Sequence, residues 1–395
     1  MVTRAAPLLF AVVLTVSACD NGFRPETLVE NLRVLGIRST PADLHPGETA
    51  FLQIQALDPS RPGQPVSTLW VGCDPDPFNL NRSACSDPSV LQDPATLGPG
   101  GGMLPPGVRL IGFNTQAAYS APAGLFQVLP EGDERRLTGT AGQVLAISVA
   151  EAVSPLATME ELQALFARVQ SRELRSLVAL FRIQISENPE RNHNPPPGAL
   201  LVEGTVLAKG EHLAVFPGQT RTLDLTWADD DFEAFTAYTP TGTEPRTERI
   251  LAAWYSTAGR FSESRTALRE DVHTVFTAPG VDPKDPLPEG RTGVLYVTIR
   301  DTRGGQSWTE FPFFICDGAL PEPEVTSVRL TDDSVTLEGQ HLDMVLDVVA
   351  DGRALDGAAD AAGQRWSAAR PGVAPTLVRV TTKRCTQHEH PVAAP

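Results

Sequence analysis

The chain has 395 residues, 41% of them hydrophobic, with 35 prolines, 32 glycines and a formal net charge of −16. That length exceeds one typical core, so two or three domains are expected. The acidic balance, with no basic stripe interleaved with aromatics, excludes nucleic acid as a partner.

Met1 to Arg4 supply one positive charge, Ala5 to Val16 are apolar, and Ser17 and Ala18 are small. A bilayer-spanning helix needs roughly 20 apolar residues, so this run reads as a secretory signal, and no second hydrophobic span follows. Val16-Ser17-Ala18-Cys19 resembles the lipobox of bacterial lipoproteins. The resemblance implies lipidation of Cys19 as the mature N-terminus, with two or three acyl chains giving the stable membrane anchor that a single chain does not. It places the protein in the cell envelope, held to a membrane by its N-terminal lipid. The outer membrane is expected, although Asp20 resembles the inner-membrane retention signal of some enteric bacteria.

Beyond the signal, prolines and glycines punctuate short apolar runs, the sign of an all-β chain rich in turns. Only three of the 32 basic residues are lysines (Lys209, Lys284, Lys383), which we read as the codon bias of a GC-rich genome. Two long segments follow one plan. The first opens with "NLRVLGIRSTPADLHPGETAFLQIQAL" (31–57) and the second with "LFRIQISENPERNHNPPPGALLVEGTVL" (180–207). Each continues to an apolar tryptophan, Trp70 or Trp254, then to a near-identical turn (119–124, 275–280) and a glycine-led strand (142–152, 293–305). Period-2 alternation such as Leu295, Val297, Ile299 marks half-buried strands, and this spacing of strands and turns reads as a β-sandwich.

"WYSTAGRF", "FTAPG" and "LYVTIRDTRGG" resemble bacterial immunoglobulin-like (Ig-like) extracellular domains. Between the repeats, Thr158 and Glu161 match a capping box, and Leu162, Leu165, Phe166, Val169, Leu174 and Leu177 recur at helical spacing. A helix over about 159–177 is expected, as a connector or a partner-binding element. After Pro321 and Pro323, "VTLEGQHL" resembles the small IPT/TIG-type Ig-like fold. The expected fold is thus all-β: tandem Ig-like β-sandwiches with one connecting α-helix and a small C-terminal β domain. The boundaries read as signal 1–18, anchor linker 19–28, first Ig-like domain 29–152, helical connector 153–177, second Ig-like domain 178–318, IPT/TIG-like domain 319–382 and a tail 383–395, disordered beyond Cys385.

Four cysteines remain besides Cys19, and in an exported chain they allow three disulfide pairings. Cys73 with Cys85 and Cys316 with Cys385 is the expected set, the first closing a local loop and the second tying the end of one domain to the tail after the next. A zinc site is the alternative, against which stands the absence of any C-x-x-C.

No G-x-S-x-G, S-x-x-K, P-loop or H-E-x-x-H occurs, so no enzyme is expected. His388 and His390 flank Glu389 near Cys385, where they could bind a metal or simply belong to the tail. Asp229, Asp230 and Asp231, with Glu233, offer hard oxygen donors of the kind that hold calcium, but their spacing matches no EF-hand loop and a solvated acidic turn is the plain reading. "NPERNHNPPPG" (188–198) resembles a phrase of a poorly characterised family of envelope lipoproteins with this two-repeat plan, and Asx turns explain Asn192 and Asn194.

The expected function is therefore non-catalytic binding or scaffolding of a protein or polysaccharide partner in the envelope, with no cofactor beyond the lipid on Cys19. The alternatives are a ligand-binding or enzymatic subunit with a site built from loops between the repeats, and a calcium-dependent adhesin acting through Asp229, Asp230 and Asp231.

Overall fold

The computed structural model describes residues 25–86, 106–114, 116–154, 157–239, 242–267, 273–331, 333–369, 372 and 375–392. Cys19 and the segment expected to be a signal, residues 1–18, lie outside them.

Ten strands build the first sandwich. They are β1 (Arg33–Thr40), β2 (Asp43–Leu44), β3 (Thr49–Leu57), β4 (Ser67–Cys73), the short pair β5 (Pro75–Asp76) and β6 (Asn79–Ser83), β7 (Val108–Phe113), β8 (Gln116–Ser120), β9 (Thr140–Val149) and β10 (Ser176–Ile185). β3 pairs with β8, and β9 lies between β4 and β10, all antiparallel. The chain switches sides between β1, antiparallel to β3, and β2, parallel to β10.

The second sandwich repeats the plan with β11 (Ala199–Val202), β12 (Thr205–Val206), β13 (Leu213–Val215), β14 (Thr220–Thr226), the hairpin β15 (Ala234–Thr239) and β16 (Gly242–Thr247), β17 (Leu251–Ser256), β18 (Arg260–Phe261), β19 (Arg265–Ala267), β20 (Thr274–Thr277), β21 (Thr292–Arg300) and β22 (Gln306–Ile315). Here β14 pairs with β20, β21 lies between β17 and β22, and β13 runs parallel to β22. The third sandwich comprises β23 (Glu324–Leu330), β24 (Ser334–Gln340), β25 (Val345–Ala350), β26 (Arg353–Ala354), β27 (Gly357–Ala359), β28 (Arg365–Ala369), β29 (Leu377–Thr382) and β30 (Gln387–Pro391). It keeps the β24·β28 pair and the β25·β29·β30 order.

These are tandem Ig-like sandwiches. Trp70 on β4 and Trp254 on β17 occupy corresponding strands and are fully buried, each in the centre of its own apolar core. On β17 burial alternates residue by residue, as period-2 patterning requires when one sheet face meets the core.

Three expectations are corrected. The run from 178 belongs to the first sandwich, because β10 pairs along its whole length with β9. Its alternation reads as a half-buried strand in either domain, and only the long-range partner decides. The proline-rich stretch that follows is therefore the connection between sandwiches, and the second one begins at β11. The helix ends early: α1 (Glu134–Thr138) is a single turn, and α2 spans Met159–Gln170 with the Thr158–Glu161 capping box formed. Arg172 takes a left-handed conformation (φ 61) and the chain enters β10 at Ser176, so Leu174 and Leu177 lie beyond the helix. Finally, Gln387–Pro391 is the edge strand β30 rather than disordered tail. The bridge from Cys385 to Cys316 and the turn at Thr382–Thr386 return the chain to β29.

Candidate functional site

The first two sandwiches meet where β1 crosses the outer face of β21 and β22. Thr298 donates to the Leu35 carbonyl at 3.3 Å, Arg38 stacks 4.9 Å from the Trp308 ring centroid, and Arg33 lies 5.0 Å from that of Tyr255. Gly36 makes the approach possible, since a Cβ there would sit 3.2 Å from the Thr298 methyl and 3.4 Å from Trp308.

The segment before β1 adds backbone hydrogen bonds joining Thr27 and Val29 to Ser256, and the connecting loop 186–198 supplies further ties. Arg191 pairs with Asp43 at 2.9 Å and Glu48 at 2.9 Å, and the Asn192 backbone donates to Asp43 at 3.0 Å. The Asn194 amide donates to the Ser39 carbonyl and accepts from the Gln306 backbone. Asn192 and Asn194 are therefore junction residues whose amides reach both sandwiches. Arg303 binds the Glu190 carbonyl at 2.9 Å and two carboxylates, Glu233 at 3.1 Å and Glu248 at 3.3 Å. Burial, reinforced by Asp301 and Glu233 and opposed by Arg303, leaves the Glu248 carboxyl pushed up to about 7.

The second and third sandwiches are joined by Cys316–Cys385, whose Cα atoms are 5.7 Å apart. His212 contacts Asp347 at 2.9 Å, Arg379 binds Glu211 at 2.6 Å, and the Lys209 backbone donates to Gly352 and accepts from Ala354.

Between these two junctions lies a cleft of about 1000 Å³. Its walls come from all three sandwiches: Gln55 and its neighbours on β3, residues 197–200, 206–207 and 209–210 with the β21–β22 face, and Gly352. The register sets its floor. Tyr296 is paired with Glu310 and Thr298 with Trp308, so both rings share one face of adjacent strands. Arg33 and Arg38 cover Tyr255 and Trp308, whereas Tyr296 opens into the cleft. Burial and the neighbouring Glu310 raise the Tyr296 phenol above its ordinary range, so it remains a protonated donor. Lys209 and Glu310 contribute one charge of each sign. The wall at Gly198 is fixed by Trp227, whose indole donates to the Pro196 carbonyl at 3.0 Å.

Among the described residues this lining contains the Thr309 and Tyr296 hydroxyls and one carboxylate, Glu310. Its donors, acceptors and aromatic faces suit binding.

Of the residues singled out from sequence, Cys73 and Cys85 are bridged with Cα atoms 5.5 Å apart, beside a second cavity of about 850 Å³. The lining of that cavity stops at Ala84 and resumes at Pro106, and residues 87–105 between them lie outside the described residues. Asp229, Asp230 and Asp231 form one turn of 3-10 helix, with the Asp231 carboxylate turned back onto the Ala228 backbone at 2.8 Å. His388 faces Glu322 at 3.1 Å on the outer strand of the third sandwich. Among the described residues no group of three or more His, Cys, Asp or Glu side chains is placed to hold a metal ion. The cleft residues Gln55, Lys209, Tyr296, Trp308 and Glu310 were not singled out. The only sequence signal for them was the polar-face position of Tyr296, which is also what a solvated residue shows.

No family model matches the chain, and no curated protein matches it. Among solved structures, a protein described with a xylogluco-oligosaccharide shares 13% identity at a TM-score of 0.17, covering 91% of this chain and 59% of that one. The chain thus spans about three-fifths of that protein's length. The Bacteroides ovatus mixed-linkage glucan utilization locus protein SGBP-B, solved with a mixed-linkage heptasaccharide, shares 8% identity at 0.15, with 92% and 70% covered. The chicken CNTN1 FN1–FN3 domains share 11% identity at 0.18, with 91% and 94% covered. At such identities and scores the likeness extends to no site or ligand.

Proposed function

We propose that this chain is a non-catalytic envelope protein, anchored by lipid on Cys19, that holds a neutral surface polysaccharide in the cleft where its three sandwiches meet. The observation that carries the reading is the cleft itself, whose walls come from three separately folded units tied by defined junctions. A binding surface shared by three units gains from having no ordering cost at the moment of binding. The half-buried Tyr296 ring, the Gln55 and Thr309 side chains and the two opposite charges suit a chain of alternating apolar faces and hydroxyls. The net charge of −16 disfavours a polyanion.

Affinity electrophoresis of the full chain through gels containing neutral glucans, O-antigen polysaccharide or an acidic polysaccharide checks this. Retardation by a neutral polymer is expected, weakened about tenfold in Tyr296→Ala, a loss on the scale of one interface anchor. His388→Ala, away from the cleft, should leave retardation unchanged. Migration unaffected by every neutral polymer would refute the ligand reading. The anchor has its own test: Cys19→Ser should move the protein from the membrane fraction to the soluble one.

A further inference from the structure

The first sandwich ends on a strand edge that the described residues leave largely unpaired. β9 satisfies one side of β10, from Ser176 to Ile185, but β2 reaches the other side only at Gln184 and Ile185. Two hydrogen bonds fix which residues face outward. The Arg175 carbonyl accepts from Ala150 on the β9 side, and the Ser186 amide donates to Leu44 on the β2 side. Backbone groups alternate along a strand, and β10 has no register shift, so Ser176, Val178, Leu180 and Arg182 present N–H and C=O outward. Among the described residues no strand pairs with these four on that side.

Its side chains deepen the contrast. Leu177, Val178 and Leu180 are 38%, 59% and 54% exposed within four residues. Proteins ordinarily blunt such edges with charge, proline or a bulge. This chain does so elsewhere: β30 reads Gln-His-Glu-His-Pro, β16 carries Glu244, Pro245 and Arg246, and β1 is covered by the second sandwich. β10 has none of these devices along 176–181.

We infer that β10 is an interface between two copies of this chain, paired antiparallel about a two-fold axis at Ala179. That axis sets Ser176 opposite Arg182 of the second copy and Val178 opposite Leu180. Every outward-facing residue then meets an outward-facing residue, giving four closely hydrogen-bonded pairs. Val178 and Leu180 stack across the seam, and the one charged residue of the set, Arg182, meets a serine rather than its own copy. The register is self-complementary, as a two-fold interface requires. One strand pair is a small interface, below about 1,200 Å² in total, so a weak, concentration-dependent dimer is expected.

The test uses the full chain with Cys19→Ser, to remove the lipid-attachment site. Sedimentation equilibrium over a concentration series should show the mass rising from the 42.3 kDa chain towards twice that value. The change Leu180→Lys, an exposed position that leaves the core intact, should abolish the rise. Ala179→Cys brings the two copies' position 179 opposite each other in a non-hydrogen-bonded pair, so a disulfide dimer reversed by reductant is expected, while Val128→Cys should give none. A constant monomer mass at every concentration overturns the proposal. So does a dimer that Leu180→Lys leaves intact and Ala179→Cys does not trap, as does a monomer that instead captures a synthetic extended peptide at β10.

Discussion

The junction between the first and second sandwiches and that between the second and third do the same work with different chemistry. The first is wholly non-covalent. A strand crosses a sheet face at a glycine, two arginines lie on aromatic rings, and a polar loop hydrogen-bonds to both sides. The second rests on a disulfide between residues 69 apart in sequence, with a histidine–aspartate and an arginine–glutamate contact beside it. A packed junction requires shape on both surfaces, whereas a covalent one restrains separation even where its surfaces are small. The first should therefore yield to crowding or charge, and the second to reduction.

The largest effect is expected at the second junction. On the chain-entropy account, closing a loop of this length stabilises by about 4 kcal/mol. Replacing both Cys316 and Cys385 with alanine should separate the unfolding of the third sandwich from that of the other two, giving a second, lower calorimetric transition. A single unchanged transition would show that the ion pairs suffice. Next comes Gly36→Val, which places a branched side chain against Thr298 and Trp308. A cost of about 1–3 kcal/mol is expected from overpacking, with faster proteolysis in the connecting loop 186–198. Loop cleavage at the parental rate would mean that β1 does not hold the sandwiches together.

The smallest effect belongs to Glu248. Its carboxyl, at about 7 in the folded chain against about 4.5 when unfolded, keeps its proton in the folded state where the unfolded chain has lost it. Stability from this group is thus fully present below about pH 4.5 and is lost as pH rises to about 7. Glu248→Gln should match the parent in Tm near pH 4 and exceed it near pH 8. A difference independent of pH would place the proton elsewhere.

The strands were legible because burial on one face leaves period-2 alternation, as at Leu295, Val297 and Ile299. The Thr158 cap was legible because capping is local, and the two disulfides because spacing favoured local closure and a tie across domains. What sequence did not reveal depends on distant partners. The residues of β10 alternate identically whichever domain owns them, and Gly36 looks like any strand glycine until β22 crosses it. Helical periodicity ran past Gln170 because Leu174 and Leu177 happen to continue the spacing, while Arg172 turns the backbone away. The cleft is the extreme case. Gln55, Lys209 and Tyr296 are separated by up to 241 positions in the numbering, and only the assembled junctions bring them to one site.

That site exists only if the three sandwiches hold one arrangement, which a distance measurement tests without knowledge of the ligand. Spin labels on Val128→Cys in the first sandwich and Leu377→Cys in the third, in a chain carrying Cys19→Ser, occupy exposed positions. Double electron–electron resonance on a sample diluted with unlabelled protein should give one narrow distribution centred on the distance in the structure. A broad distribution, or several, would mean that the sandwiches move independently, and the cleft would no longer stand as a preformed site.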